Sequence, residues 1–219
     1  MGIVVENGGV LTTVQDEGRF GYRAYGVSTS GAMDTHAFHI ANLLVGNKMT
    51  EGALEMTFIG PVLRFTRDNI IAVTGGDLAP MLDGRPFPMW KAVLVKEGQR
   101  LSFGGMRNGC RGYIVFAGGL DVPQVMGSKS TLLRNNLGGI DGRKLQPQDE
   151  IGFTSPKTEL PNMEKRRVPA EIYPDKEIVL RVVLGPQDDE FTEAGIRSFF
   201  WYSGVITNEF DRMGCRIER

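Results

Sequence analysis

Glycine sets the terms on which this chain folds. It accounts for 29 of the 219 residues and divides the apolar sequence into runs too short for long helices. Ile70-Ile71-Ala72-Val73, Ala92-Val93-Leu94-Val95, Tyr113-Ile114-Val115-Phe116 and Ile178 to Leu184 are β-branched or aromatic and end at Gly, Pro or charged residues, which predicts strands. Val62 to Phe65 and Arg100 to Phe103 alternate apolar with polar residues, as strands with one wet face do. Asp83-Gly84 and Asn108-Gly109 are hairpin-type dipeptides, and the glycine run at 104–109 is best read as a hairpin turn. Many short strands at this spacing favour a mainly β barrel or sandwich over a parallel α/β sheet.

Few helices fit between them. Ala37, Ile40, Ala41 and Leu44 recur at helical spacing, with Asp34 as N-cap and Gly46 as stop. A second helix is predicted over 189–200, and a short helical turn at Lys129-Ser130-Thr131. The segment 154–177 holds Pro156, Pro161, Pro169 and Pro174 among many charges. That is linker composition, and it divides the chain into a domain at 1–153 and a second at 178–219. The basic triplet Lys165-Arg166-Arg167 fits a solvated linker face.

Charge and composition exclude several roles. A formal net charge of −1 gives no broad attraction to nucleic acid or anionic lipid. No apolar run approaches the roughly 20 residues of a membrane helix, and the N-terminus lacks a basic region before an apolar one. Cys110 and Cys215 form no close pair and have no nearby histidine, which suits a reducing cytoplasm and no metal site. The two histidines, His36 and His39, stand three apart on the first helix and read as ordinary surface residues.

The chemistry-bearing residues gather near the N-terminus. Thr12-Thr13-Val14-Gln15-Asp16-Glu17-Gly18-Arg19-Phe20-Gly21-Tyr22 is followed by Gly26-Val27-Ser28-Thr29-Ser30-Gly31-Ala32-Met33-Asp34. Polar residues among glycines directly before a helix suit a binding loop. Asp16, Arg19 and Tyr22 suit binding and polarising a small amide or carboxylate; an Asp16–Arg19 structural ion pair is an equal reading. Ser30 and Asp34 suit either an anion at the helix N-terminus or plain capping. Lys129, in Gly127-Ser128-Lys129-Ser130-Thr131, suits an anion contact. Glu55 and Asp77 are further cleft candidates, though such residues are more often found in turns or at a rim.

These two stretches resemble the opening of the biotin-dependent carboxyltransferase-like family, which includes KipA proteins, allophanate hydrolase subunit 2-like proteins and the 5-oxoprolinase C-subunit. Further matches run in order along the chain. They include Val73-Thr74-Gly75-Gly76-Asp77, Ala117-Gly118-Gly119-Leu120-Asp121, Met126 to Thr131, Leu184-Gly185-Pro186-Gln187 and Asp211-Arg212-Met213-Gly214. The resemblance implies a cyclophilin-like β-barrel with one or two short helices, followed by a second, related barrel half. Family members continue for roughly a hundred residues past Gly214, the size of a small domain, so it also implies a C-terminally truncated form whose unfinished sheet favours homo-oligomers.

For function, the resemblance implies a subunit of an ATP-dependent 5-oxoprolinase, opening the lactam with a KipI-like and a LamB/YcsF-like partner. In that reading Asp16, Arg19 and Tyr22 are catalytic. Gln15, Ser30, Asp34, Asp77, Lys129, Asp211 and Arg212 bind substrate. No Met-Lys-Met biotin-attachment signature and no complete ATP site occur, so ATP would act through partner subunits. Two alternatives stand beside it. One is a carboxyltransferase acting on urea or a related amide, with carboxybiotin from another chain. The other is a non-catalytic KipA-like regulator of a KipI-like partner.

Overall fold

The structure is a computed structural model that describes residues 2–170, 178–210 and 214–218. The chain divides into two compact units, Met1–Asp175 and Lys176–Arg219. The first begins with β1 (Gly2–Asn7), β2 (Leu11–Gln15) and helix α1 (Thr35–Leu44). It continues through β3 (Ala53–Thr57), β4 (Val62–Phe65), β5 (Asn69–Asp77), β6 (Pro80–Leu82), β7 (Arg85–Pro86) and β8 (Val93–Val95). It ends with β9 (Arg100–Phe103), β10 (Asn108–Phe116), β11 (Leu120–Asp121) and β12 (Glu150–Phe153). The second unit holds α2 (Glu193–Trp201), β13 (Val205–Phe210) and β14 (Cys215–Glu218).

The first unit is two antiparallel sheets, ordered β11-β12-β1-β4-β9-β6-β7 and β2-β3-β10-β5-β8. Strand alternation decides what lies between them. Ile3 and Val5 of β1, Leu54 and Met56 of β3, Leu63 and Phe65 of β4, Ile71 and Val73 of β5 and Ile114 and Phe116 of β10 form one buried cluster drawn from both sheets. The alternate residues of the five-stranded sheet face outward. There Ile70, Ala72, Tyr113 and Val115 meet Ala37, Phe38, Ala41 and Leu44 of α1 in a second cluster.

The ends of α1 are fixed by residues near and far. Asp34 Oδ1 accepts from Ala37 N at 3.0 Å. At the other end Arg166 Nη1 donates to the carbonyls of Leu43 (3.3 Å) and Leu44 (3.0 Å), placing a cation at the negative end of the helix dipole. Arg166 is therefore a capping residue, where composition suggested a solvated face. The proline-rich segment is bound to the first unit over 157–168: Lys157 N donates to Asn69 Oδ1, Leu160 and Met163 pack on the second cluster, and Val168 N donates to Trp90 O.

Other expectations change. Asp83-Gly84 turns the β6–β7 hairpin, but Asn108-Gly109 lies inside β10, which pairs with β3 and β5. The glycines before it carry the chain from one sheet to the other. Lys129 to Thr131 form no helix; a 3-10 turn follows at Leu133–Asn135. Residues 178–184 pair with no strand among the described residues and are solvent-facing, with Val179 85% and Val183 95% exposed. No helix among the described residues is long and apolar enough to cross a membrane.

Candidate functional site

Two polar constellations are joined by the loop 16–34, one just past the end of β2 and the other on the outer face of the five-stranded sheet. The first secures the loop's base. Asp16 is buried, and its Oδ1 accepts from Gly18 N (2.8 Å), Ser128 Oγ (2.7 Å) and Ser130 Oγ (2.5 Å), while Oδ2 accepts from Lys129 N at 2.6 Å. A buried carboxylate needs this many donors to offset its lost hydration. Arg19 is 1% exposed. Its Nε donates to Val125 O at 2.8 Å and its Nη2 to Ser130 O at 2.9 Å; Nη1 is buried and unbonded. Burial lowers the Arg19 pKa, opposed by the negative fields of Asp16 and Tyr22. Gly138 closes over this guanidinium at φ 68°, where a Cβ would strike Ser130 O.

Asp16 and Arg19, expected to grip substrate, thus face inward and clamp segment 125–130 to the loop. They form no ion pair with each other among the described residues. Gln15 is also turned inward: Nε2 donates to Thr13 Oγ1 (2.9 Å) and Thr131 O (3.2 Å), and Oε1 accepts from Gly31 N (3.1 Å). Lys129 Nζ is occupied by Glu51 Oε1 at 2.5 Å and Leu120 O at 2.8 Å. Asp77 Oδ1 accepts from Ala79 N in a turn at the end of β5. Asp211 and Arg212 lie outside the described residues.

The loop itself leaves the fold and returns. Ala32 N donates to Asp16 O and Arg19 N to Thr29 O, closing its neck. Glu17 meets His39 of α1, so that histidine is partnered rather than free. Tyr22 is half-buried beside a 3-10 turn at Arg23–Tyr25, and Ser30 is half-buried with φ 56°. The tip is open: Phe20 and Tyr25 are exposed, and Gly21 and Gly26 have empty space where a side chain would stand.

The second constellation is a polar row across four strands. Thr13 opposes Glu55, Glu55 opposes Tyr113, and Tyr113 opposes Thr74. Glu55 is 2% exposed. Its Oε2 accepts from Tyr113 OH and from Met33 N, both at 2.8 Å, and its Oε1 accepts from Arg111 Nη1 at 3.2 Å. Tyr113 OH accepts in turn from Asp34 N at 2.8 Å. Burial, then the charge of Glu55, pushes the phenol pKa far upward, so it stays a proton donor. Thr74 Oγ1 donates to Ala37 O. The row therefore fixes where α1 begins and where the loop ends.

Arg111, Tyr113 and Thr57 are the residues that reading the sequence for loops leaves out. Their signal is a period of two: polar side chains at 111 and 113, and at 55 and 57, in strands whose alternate residues are apolar. In the second unit the Leu184–Gln187 motif lines a small hollow with Phe191 and Ile196. Among the described residues no three His, Cys, Asp or Glu side chains are grouped to hold a metal.

Comparison with known proteins matches this architecture. The chain is 36% identical over 97% of its length to urea amidolyase of Lachancea kluyveri, of which it spans 12%. It is 37% identical over 96% of its length to the 5-oxoprolinase C-subunit of Escherichia coli, of which it spans 66%. The crystal structure of the Kluyveromyces lactis urea carboxylase superposes with a TM-score of 0.82 at 33% identity, covering 99% of this chain and 20% of that one. The family model for the carboxyltransferase domain, subdomain A and B, matches residues 25–219. On fold, on sequence and along nearly its whole length, the chain belongs to that carboxyltransferase-domain family.

Proposed function

We propose that this chain acts as the C-subunit of an ATP-dependent 5-oxoprolinase, opening the 5-oxoproline lactam to glutamate with KipI-like and LamB/YcsF-like partners. The observation that carries this reading is the loop 16–34: its base is bolted by Asp16 and Arg19, its exit is fixed by Glu55 and Tyr113, and its glycine tip stays open. A lactam is resonance-stabilised, so charging its oxygen lowers the barrier to attack by water. ATP supplies that activation through the partner subunits. This chain's part is a pre-built polar frame that positions the activated species without reorganising. The Escherichia coli relative supports this reading through its name and its 37% identity.

A second reading is carboxyl transfer to urea or a related amide from carboxybiotin on another polypeptide, supported by the urea amidolyase and urea carboxylase relatives. Incubating the chain with both partner proteins, ATP and 5-oxoproline separates the two. Glutamate formation that stops when this chain is omitted is the expected result. Carboxylation of urea by carboxybiotin, with no glutamate formed, would replace the first reading by the second.

A further inference from the structure

Arg111 is a guanidinium held from behind. Its Nη1 donates to Glu55 Oε1 at 3.2 Å and to Thr57 Oγ1 at 2.9 Å, and its side chain is 16% exposed. Nε and Nη2 have no partner among the described residues, and neither is sealed from solvent. Those two nitrogens form one edge of the planar group, with N–H bonds running side by side. That edge matches the two oxygens of a carboxylate. The buried Glu55 fixes the plane of the guanidinium, so little side-chain freedom remains to be lost on binding. Leu11 stands in the same cross-strand row, opposite Thr57, and Met33 is half-exposed with its N–H on the other oxygen of Glu55. A fixed cationic edge suits a small organic acid better than a neutral molecule such as urea.

We propose that the Nε/Nη2 edge of Arg111 is a carboxylate-binding subsite that takes the acid group of a small amide-bearing carboxylate. The choice of 5-oxoproline as that ligand rests on the function proposed above; the subsite itself rests on Arg111 alone. Three ligands are titrated into the 219-residue chain by calorimetry: 5-oxoproline, its neutral carboxamide, and the open-chain acid N-acetylglycine. Both acids are expected to bind, the carboxamide about tenfold more weakly or not at all, as loss of a charge-assisted pair implies. Arg111→Gln is expected to bring 5-oxoproline down to the level of the carboxamide, with Arg111→Lys in between.

Equal binding of acid and carboxamide by the unaltered chain overturns the subsite, as does a failure of both acids to bind; neither result depends on a variant folding. Undiminished acid binding by a folded Arg111→Gln chain overturns it too, while leaving the lactam reading intact. Arg111-dependent binding of N-acetylglycine without any affinity for 5-oxoproline upholds the subsite and removes 5-oxoproline as its ligand.

Discussion

Asp16 shows how far one side chain reaches. Four donors converge on its carboxylate, one from Gly18 in its own loop and three from residues 128–130. Replacing it by Ala leaves two hydroxyls and two backbone N–H groups to find other partners, in a place with little water. The expected cost of Asp16→Ala is about 3 kcal/mol, seen as a lower midpoint in urea unfolding. Arg19→Ala is expected to act the same way: because the guanidinium holds the carbonyls of Val125 and Ser130, the variant loses stability together with activity rather than activity alone. Tyr113 has a signature in pH. Its phenol pKa is raised above 10.0 in the fold by burial and by Glu55, so its contribution to stability is complete below the unfolded value and declines as pH rises past it, where only the unfolded chain ionises. In an alkaline ultraviolet titration of the five tyrosines, one is expected to resist ionisation until the chain unfolds. Tyr113→Phe is expected to remove that resistant component; its persistence in the variant would assign it elsewhere.

The helix α1 is the element on which the site turns, because its first turn lies over the Glu55–Tyr113 row and its last is closed by Arg166. Truncating Arg166 to Ala is expected to destabilise the chain by about 1 kcal/mol and to speed amide exchange at Val45 and Gly46, leaving the β1–β12 pairing protected. Exchange unchanged at those amides would show that the cap carries no weight. What the sequence disclosed at this scale follows from range. The spacing of Ala37, Ala41 and Leu44 and the Asp34 cap are local, and the helix lies where they place it. The strands at 62–65 and 100–103 are likewise written in local alternation, and those at 70–73 and 113–116 in short β-branched and aromatic runs. Arg166 acts over 122 residues of separation, and no local pattern reveals that. The same limit applies to the site: a loop rich in Asp, Arg and Gly is conspicuous in sequence, but whether its charges point at solvent or into the clamp depends on Ser128 and Ser130, more than 110 residues away. Glu55 and Arg111, adjacent on the sheet, become neighbours only through strand register.

At the scale of the whole molecule, apolar burial is unevenly divided. Both buried clusters are drawn from residues of the first unit, whereas the second unit has no buried side chain among its described residues. Its 44 residues fall near the length below which a chain seldom sustains a core of its own, and a two-stranded ribbon adds little by itself. Val179, Val183 and Trp201, 85%, 95% and 85% exposed, are large apolar side chains left in water. Exposed apolar side chains of this size favour association. The double variant Val179→Lys/Val183→Lys is therefore expected to bind less of a surface-sensitive apolar dye and to sediment as a smaller species at high protein concentration. Its unfolding free energy in urea should stay within about 0.5 kcal/mol of the unaltered chain's, with the midpoint little moved, as for exposed positions generally. The two readouts matter jointly. If dye binding and association are unchanged while the midpoint falls, the run 178–184 is packed in solution and contributes to stability instead of serving as an adhesive face.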